Sequence, residues 1–200
     1  MKLFYAPASP YARKVRACAI ARGIDRQLSL VETDPNRSAP ELLAVNPLSK
    51  VPALLTDDGV AIYDSPVICE FLDSVGDALP LFPVSRPARW RALLHQAQGD
   101  GIMDAAVRWR GENLKPKEPA REAFMARQLA AVTRMLAELE REPPHAALDI
   151  GTIAVGCALG YLDYRLPELE WREGHPRLVA WFAELEQQPA FQGTMPRELA

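Results

Sequence analysis

In the first third of the chain the apolar residues come in short runs separated by Pro, Gly and acidic turns. Met1–Tyr5 (MKLFY), Gln27–Val31, Ala53–Leu55 and Val60–Ile62 are such runs, each of strand length and bounded by turn residues. The last two flank Asp57-Asp58-Gly59, which makes them the arms of a hairpin. Helices are expected between the strands. Ser9-Pro10 opens one from about Tyr11 to Arg22, and Gly23 stops it. A short helical turn falls around Glu41 to Ala44. A third helix starts just after the hairpin, with Ser65 as expected N-cap and Pro66 in the first turn. The first 75 residues therefore run strand, helix, strand, helix, strand, strand, helix.

Beyond residue 76 the strand-length runs disappear. Gly76–Pro87 (GDALPLFPVSRP) carries three prolines and cannot be one continuous element. From Arg86 the chain reads as all helix, broken at Pro116 and Pro119, at Pro143-Pro144, at Pro167 and at Pro189. Trp90 to about Val107 is one helix. Glu122 to Glu140 is another, with Phe124, Leu129, Val132, Met135, Leu136 and Leu139 as its apolar positions. Thr152 to Tyr164 is apolar nearly all round, the mark of a central helix. Asp149 is its natural cap, with Thr152 three residues on. The expected organisation is an α/β unit at 1–76, a linker at 77–87 and an all-helical unit at 88–200.

Composition narrows the function. A net charge of −3 argues against a nucleic-acid surface, and 48% apolar residues is ample for a core. No stretch approaches the roughly 18 apolar residues of a membrane helix, and Met1–Tyr5 does not resemble a signal peptide. Cys18, Cys69 and Cys157 are an odd number without metal-ligand spacing, and His95, His145 and His175 show none either. No metal site is expected, and the expected compartment is a reducing cytoplasm. Trp90, Trp109, Trp171 and Trp181 read as core.

Two segments carry candidate chemistry. In Lys50-Val51-Pro52 a proline stands at the mouth of a strand, where it cannot donate to the ladder. With a cis bond before it, Val51 would present its own amide and carbonyl outward. In Asp64-Ser65-Pro66 a helix N-terminus offers free N–H groups and a hydroxyl to a carboxylate, and Asp64 offers charge to an ammonium. Taken alone, the first reads as an ordinary strand start and the second as an ordinary helix cap.

The strand–helix order, the Ser-Pro-Tyr at the first helix, the Asn46-Pro47 … Lys50-Val51-Pro52 block and the Asp64-Ser65 pair together resemble the glutathione S-transferase superfamily. Ser-Pro-aromatic and Lys-aliphatic-Pro are closest to its serine-type members, the tau-like and bacterial forms. The resemblance implies a thioredoxin-like N-terminal domain followed by an all-helical domain. It implies reduced glutathione as co-substrate, a small electrophile as its partner in the reaction, and a homodimer with the first domain of one subunit on the helices of the other. In that family the central helix often starts with Ser or Thr as cap and Asp three residues later. The order here is reversed, and weaker reciprocal bonding is expected.

The implied roles fall on particular residues. Ser9 would donate its hydroxyl hydrogen to the sulfur of glutathione. A free thiol titrates near about 8.5, and a hydrogen bond to a charged group contributes roughly 1.5–3 kcal/mol, which lowers that pKa by one to two units. The dipole of the first helix adds to it. Tyr5 and Tyr11 are the competing hydroxyls, although core packing in a strand also explains Tyr5. Val51, before Pro52, would pair with the cysteinyl unit. Asp64 and Ser65 would take the γ-glutamyl ammonium and carboxylate, and Arg37 and Lys50 the glycyl carboxylate. Tyr11, Met103, Val107 and Arg108 would line the second-substrate pocket. No cysteine stands at the first helix start, which disfavours mixed-disulfide chemistry. Two alternatives keep the fold. One is a non-catalytic adaptor, whose members typically lose the hydroxyl or the acidic-Ser pair. The other is a glutathione-dependent isomerase, dehalogenase or peroxidase.

Overall fold

The computed structural model describes residues 1–199. Strand β1 (Lys2–Tyr5) leads into helix α1 (Pro10–Ala21), which Ser9 caps by accepting from the Ala12 amide. Gly23, at φ 71°, lets the chain turn back after α1. β2 (Ser29–Glu32) follows, two residues later than the apolar run suggested, and then α2 (Pro40–Val45). β3 (Ala53–Leu55) and β4 (Ala61–Ile62) form the hairpin, and α3 (Ser65–Val75) closes the unit. The sheet order is β2-β1-β3-β4, with β1 parallel to β2 and antiparallel to β3. This is the expected thioredoxin-like arrangement.

The rest is helical: α4 (Arg86–Asn113), α5 (Pro119–Arg141), α6 (Ile150–Arg165), α7 (Pro176–Leu185) and α8 (Pro189–Gln192). α4 exceeds its expected span at both ends. Pro87 lies in its first turn, where no intrahelical N–H bond is lost, so the helix starts inside the proline-rich segment. No helix among the described residues is long and apolar enough to cross a membrane.

Every residue of α6 from Ile150 to Leu162 is buried. Its N-terminus corrects one expectation. Asp149 accepts from the Thr152 amide at 2.8 Å, and Thr152 Oγ1 accepts from the Asp149 amide at 2.8 Å. The reversed order costs nothing in reciprocity, because a threonine hydroxyl accepts the cap N–H as well as a carboxylate does. All three cysteines are buried and free. Burial pushes the Cys157 thiol up to about 12, so it stays neutral. The two halves are tied by an ion pair from the fully buried Lys14 on α1 to Asp100 on α4, at 2.6 Å. Nothing in the local sequence marks it.

Candidate active site

The strand register gathers the candidate residues at one end of the sheet. Phe4 of β1 pairs with Ala53 of β3, so Val51-Pro52 lies beside the chain leaving β1 for Ser9. Leu54 pairs with Ile62 of β4, which brings Asp64-Ser65 to the same end. Tyr5 pairs with Glu32 of β2, and the loop carrying Arg37 leaves from there.

Three groups at this end have unused hydrogen-bonding capacity among the described residues. Ser9 accepts from the Ala12 amide at 3.3 Å, and its hydroxyl hydrogen is left to donate. Val51 precedes Pro52 through a cis bond, and neither its amide nor its carbonyl has a protein partner. A residue of unassigned role fixes this loop. The buried Asn46 donates from Nδ2 to the Lys50 carbonyl at 2.9 Å and accepts from the Leu48 amide at 3.0 Å. The third group is the start of α3. Here the cap is Asp64, with Ser65 already in the first turn, which corrects the expected assignment. The Asp64 carbonyl takes the first helical bond, from the Ile68 amide at 3.0 Å, and its backbone is extended. Neither side chain caps the helix, so the amides of Ser65 and Val67 face outward without acceptors beside the exposed Asp64 carboxylate.

The competing hydroxyls are engaged. Tyr5 donates to Glu32 at 3.0 Å, and Glu32 also pairs with Arg197. Tyr11 donates to Asp104 on α4, and burial together with that carboxylate pushes its phenol up. Asp104 also pairs with Arg108 at 3.6 Å. Asp100, four residues before Asp104, is raised by burial and drawn back by Lys14, and it feels the charges of Asp104 and Asp64. Asp100 and Asp104 were not anticipated. Their only sequence signal is the spacing of four that runs from Asp100 through Asp104 to Arg108 on one helical face.

The cations and the second pocket come out unevenly. Arg37 is 85% exposed and paired with Asp34 at 3.4 Å; Lys50 is exposed and has no ion-pair partner among the described residues. Val107 is half-buried against the core and Arg108 is solvated. Met103 does not line a pocket: it is fully buried in the helical core. Behind Ser9 the residues Ala8, Pro10, Arg13, Cys157, Tyr161 and Pro196 close together and leave no room for a water molecule between them. Among the described residues no group of three or more His, Cys, Asp or Glu stands close enough to hold a metal ion.

The chain and its fold have close counterparts. Residues 8–75 match the glutathione S-transferase N-terminal domain and residues 122–184 the glutathione S-transferase C-terminal domain. The uncharacterized GST-like protein YibF of Escherichia coli is 30% identical over 98% of both chains. A glutathione transferase family member from Pseudomonas fluorescens Pf-5, solved with bound glutathione, is 42% identical over 98% of both chains, with a TM-score of 0.89. The same family member solved with S-(propanoic acid)-glutathione covers 98% of this chain and all of its own, with a TM-score of 0.86. The chain belongs to the glutathione S-transferase family.

Proposed function

We propose that this protein is a serine-type glutathione transferase. It binds reduced glutathione at the end of the sheet in residues 1–76 and activates its thiol for attack on a small electrophile. The observation that carries this is the match between three unsatisfied sets of groups and the three parts of the tripeptide. The Ser9 hydroxyl suits the thiol, the free Val51 amide and carbonyl suit the cysteinyl backbone, and the bare α3 amides beside Asp64 suit an amino-carboxylate. The glycyl carboxylate falls to Lys50, with Arg37 beside it already half-neutralised by Asp34. Glutathione bound to the relative from Pseudomonas fluorescens supports the reading. Retention of both Ser9 and the Asp64-Ser65 pair disfavours the adaptor alternative.

Titration calorimetry with reduced glutathione is the test. Binding between micromolar and low millimolar is expected, and the dipeptide lacking the γ-glutamyl unit should bind at least tenfold more weakly, since about 1.4 kcal/mol of lost contact is a factor of ten. Absence of heat with glutathione would overturn the reading.

We also propose a homodimer. Tyr63, Val67 and Phe71 border a groove of about 480 Å³ along β4 and α3, and on the adjoining α4 Leu94 is exposed together with Trp90, which was expected in the core. Glu70 of α3 and Arg89 of α4 pair at 2.6 Å, which joins the two apolar areas into one face. Sedimentation should give twice the chain mass, and Val67→Glu should give a monomer. A wild type that stays monomeric at tens of micromolar removes the proposal.

A further inference from the structure

Two serines that touch each other both stand in the left-handed region of the backbone, Ser38 at φ 47° and Ser49 at φ 52°. A serine there carries a steric penalty that glycine escapes, so the conformation persists only where the surroundings impose it. Here a clasp between the side chains does so. The Ser49 hydroxyl donates to the Pro35 carbonyl at 3.0 Å, and the Ser38 hydroxyl oxygen is 3.1 Å away. A hydroxyl has one hydrogen, so Ser49, having given it to Pro35, accepts from Ser38.

The clasp joins two loops that each carry an exposed cation. Pro35 and Ser38 flank Arg37 in the turn after β2, and Ser49 precedes Lys50 in the loop before β3. Each loop is braced internally. Asp34 accepts from the Asn36 amide at 2.9 Å and pairs with Arg37 Nε at 3.4 Å. The terminal nitrogens of Arg37 make no hydrogen bond among the described residues and are left for a carboxylate. The Ser49 amide donates to the Asn46 carbonyl at 2.9 Å, and Asn46 Nδ2 donates to the Lys50 carbonyl. Among the described residues, the hydrogen bonds that run from one loop to the other are those of the Ser49 hydroxyl. Cations on two loops free to part would lose that freedom on binding; clasped loops have lost it on folding.

We infer that Ser49, with Ser38, determines specificity for the glycyl carboxylate, by holding the loops of Arg37 and Lys50 together so that both cations meet one anion. Ser49 is a positioning residue and touches no ligand itself. The inference rests on the glutathione reading and deepens it, from which groups of the tripeptide are met to what lets the site distinguish its charged end.

The test compares reduced glutathione with its glycyl amide, which is isosteric and lacks only that charge. Calorimetry should show the acid bound at least tenfold more tightly than the amide by wild type. Ser49→Gly keeps the left-handed turn and loses the hydroxyl. Its ratio should fall to about threefold, while the amide binds within about twofold of its wild-type affinity. Ser38→Gly removes the other half of the clasp and should lower the ratio in the same direction. A merely structural Ser49 would weaken acid and amide alike, so a wild-type ratio in folded Ser49→Gly overturns the inference. Circular dichroism establishes folding, and Ser38→Gly decides in the same way if Ser49→Gly is unfolded. A wild-type ratio near one, with glutathione still bound, overturns this inference alone. Failure of acid and amide both to bind overturns the glutathione reading and the inference with it.

Discussion

Replacing Ser9 by alanine is expected to lower turnover about 10- to 100-fold while leaving glutathione affinity within about tenfold. The range follows from one hydrogen bond to a thiolate, roughly 1.5–3 kcal/mol, at about 1.4 kcal/mol per factor of ten. In the proposed site most of the tripeptide's contacts lie elsewhere, at Val51, Asp64 and Ser65, so binding is expected to suffer less than ionisation. The pH dependence gives the sign. Losing the donor raises the thiol pKa, so the deficit is largest near neutrality and shrinks as pH rises through the raised value. Ultraviolet titration of the bound thiolate should show that pKa rising by one to two units. Ser9 also caps α1, and loss of a cap alone destabilises by about 1 kcal/mol. Two further variants separate the roles. Ser9→Thr retains cap and hydroxyl and should recover both stability and activity. Ser9→Asp caps the helix but places a negative charge against the sulfur, and should recover stability only. An unchanged thiol pKa in Ser9→Ala would sink the role given to Ser9.

What could be read from the chain beforehand was chemistry that repeats locally. Ser9-Pro10, Gly23, the turn at Asp57-Asp58-Gly59 and Pro52 each constrain the backbone within a few residues, and each stands where its own stereochemistry puts it. The register then follows, because short strands with fixed turns have few ways to pair. Long-range polar contacts leave no such trace. Lys14 looks like any helical lysine until α4 brings Asp100 to it, more than 80 residues away. Met103 shows the limit in apolar terms. It is four residues from Val107 and adjacent to Asp104, but 100° per residue turns it away from that polar face and into the core. Ser65 shows it for caps: both Asp64 and Ser65 are good cap residues, and the extended Asp64 backbone decides between them.

The largest effect on stability is expected at Gly99 of α4. A Cβ there would lie 2.5 Å from the Ala154 carbonyl carbon and 2.7 Å from both the Ala154 oxygen and the Val155 nitrogen. These are backbone atoms of α6, buried and unable to swing aside, so the two helices must separate. Overpacking typically costs about 1–3 kcal/mol, and a clash with backbone belongs at the top of that range. Alanine's better helix propensity returns about 1 kcal/mol of this, so at about 2–4 °C per kcal/mol for a chain of this size Gly99→Ala should lower Tm by roughly 4–8 °C. Gly101 provides the control within the same helix. A Cβ there meets nothing within 4 Å, and alanine is the better helix former by about 1 kcal/mol, so Gly101→Ala should raise Tm slightly. Equal shifts in the two variants would refute the account of how α4 sits on α6. The consequence reaches the active site, because α4 also carries Asp100 and Asp104, which hold Lys14 and Tyr11 of α1. Moving α4 outward pulls on the helix that Ser9 begins. Gly99→Ala is therefore expected to lose activity at temperatures where circular dichroism still reports it folded, whereas Gly101→Ala keeps both.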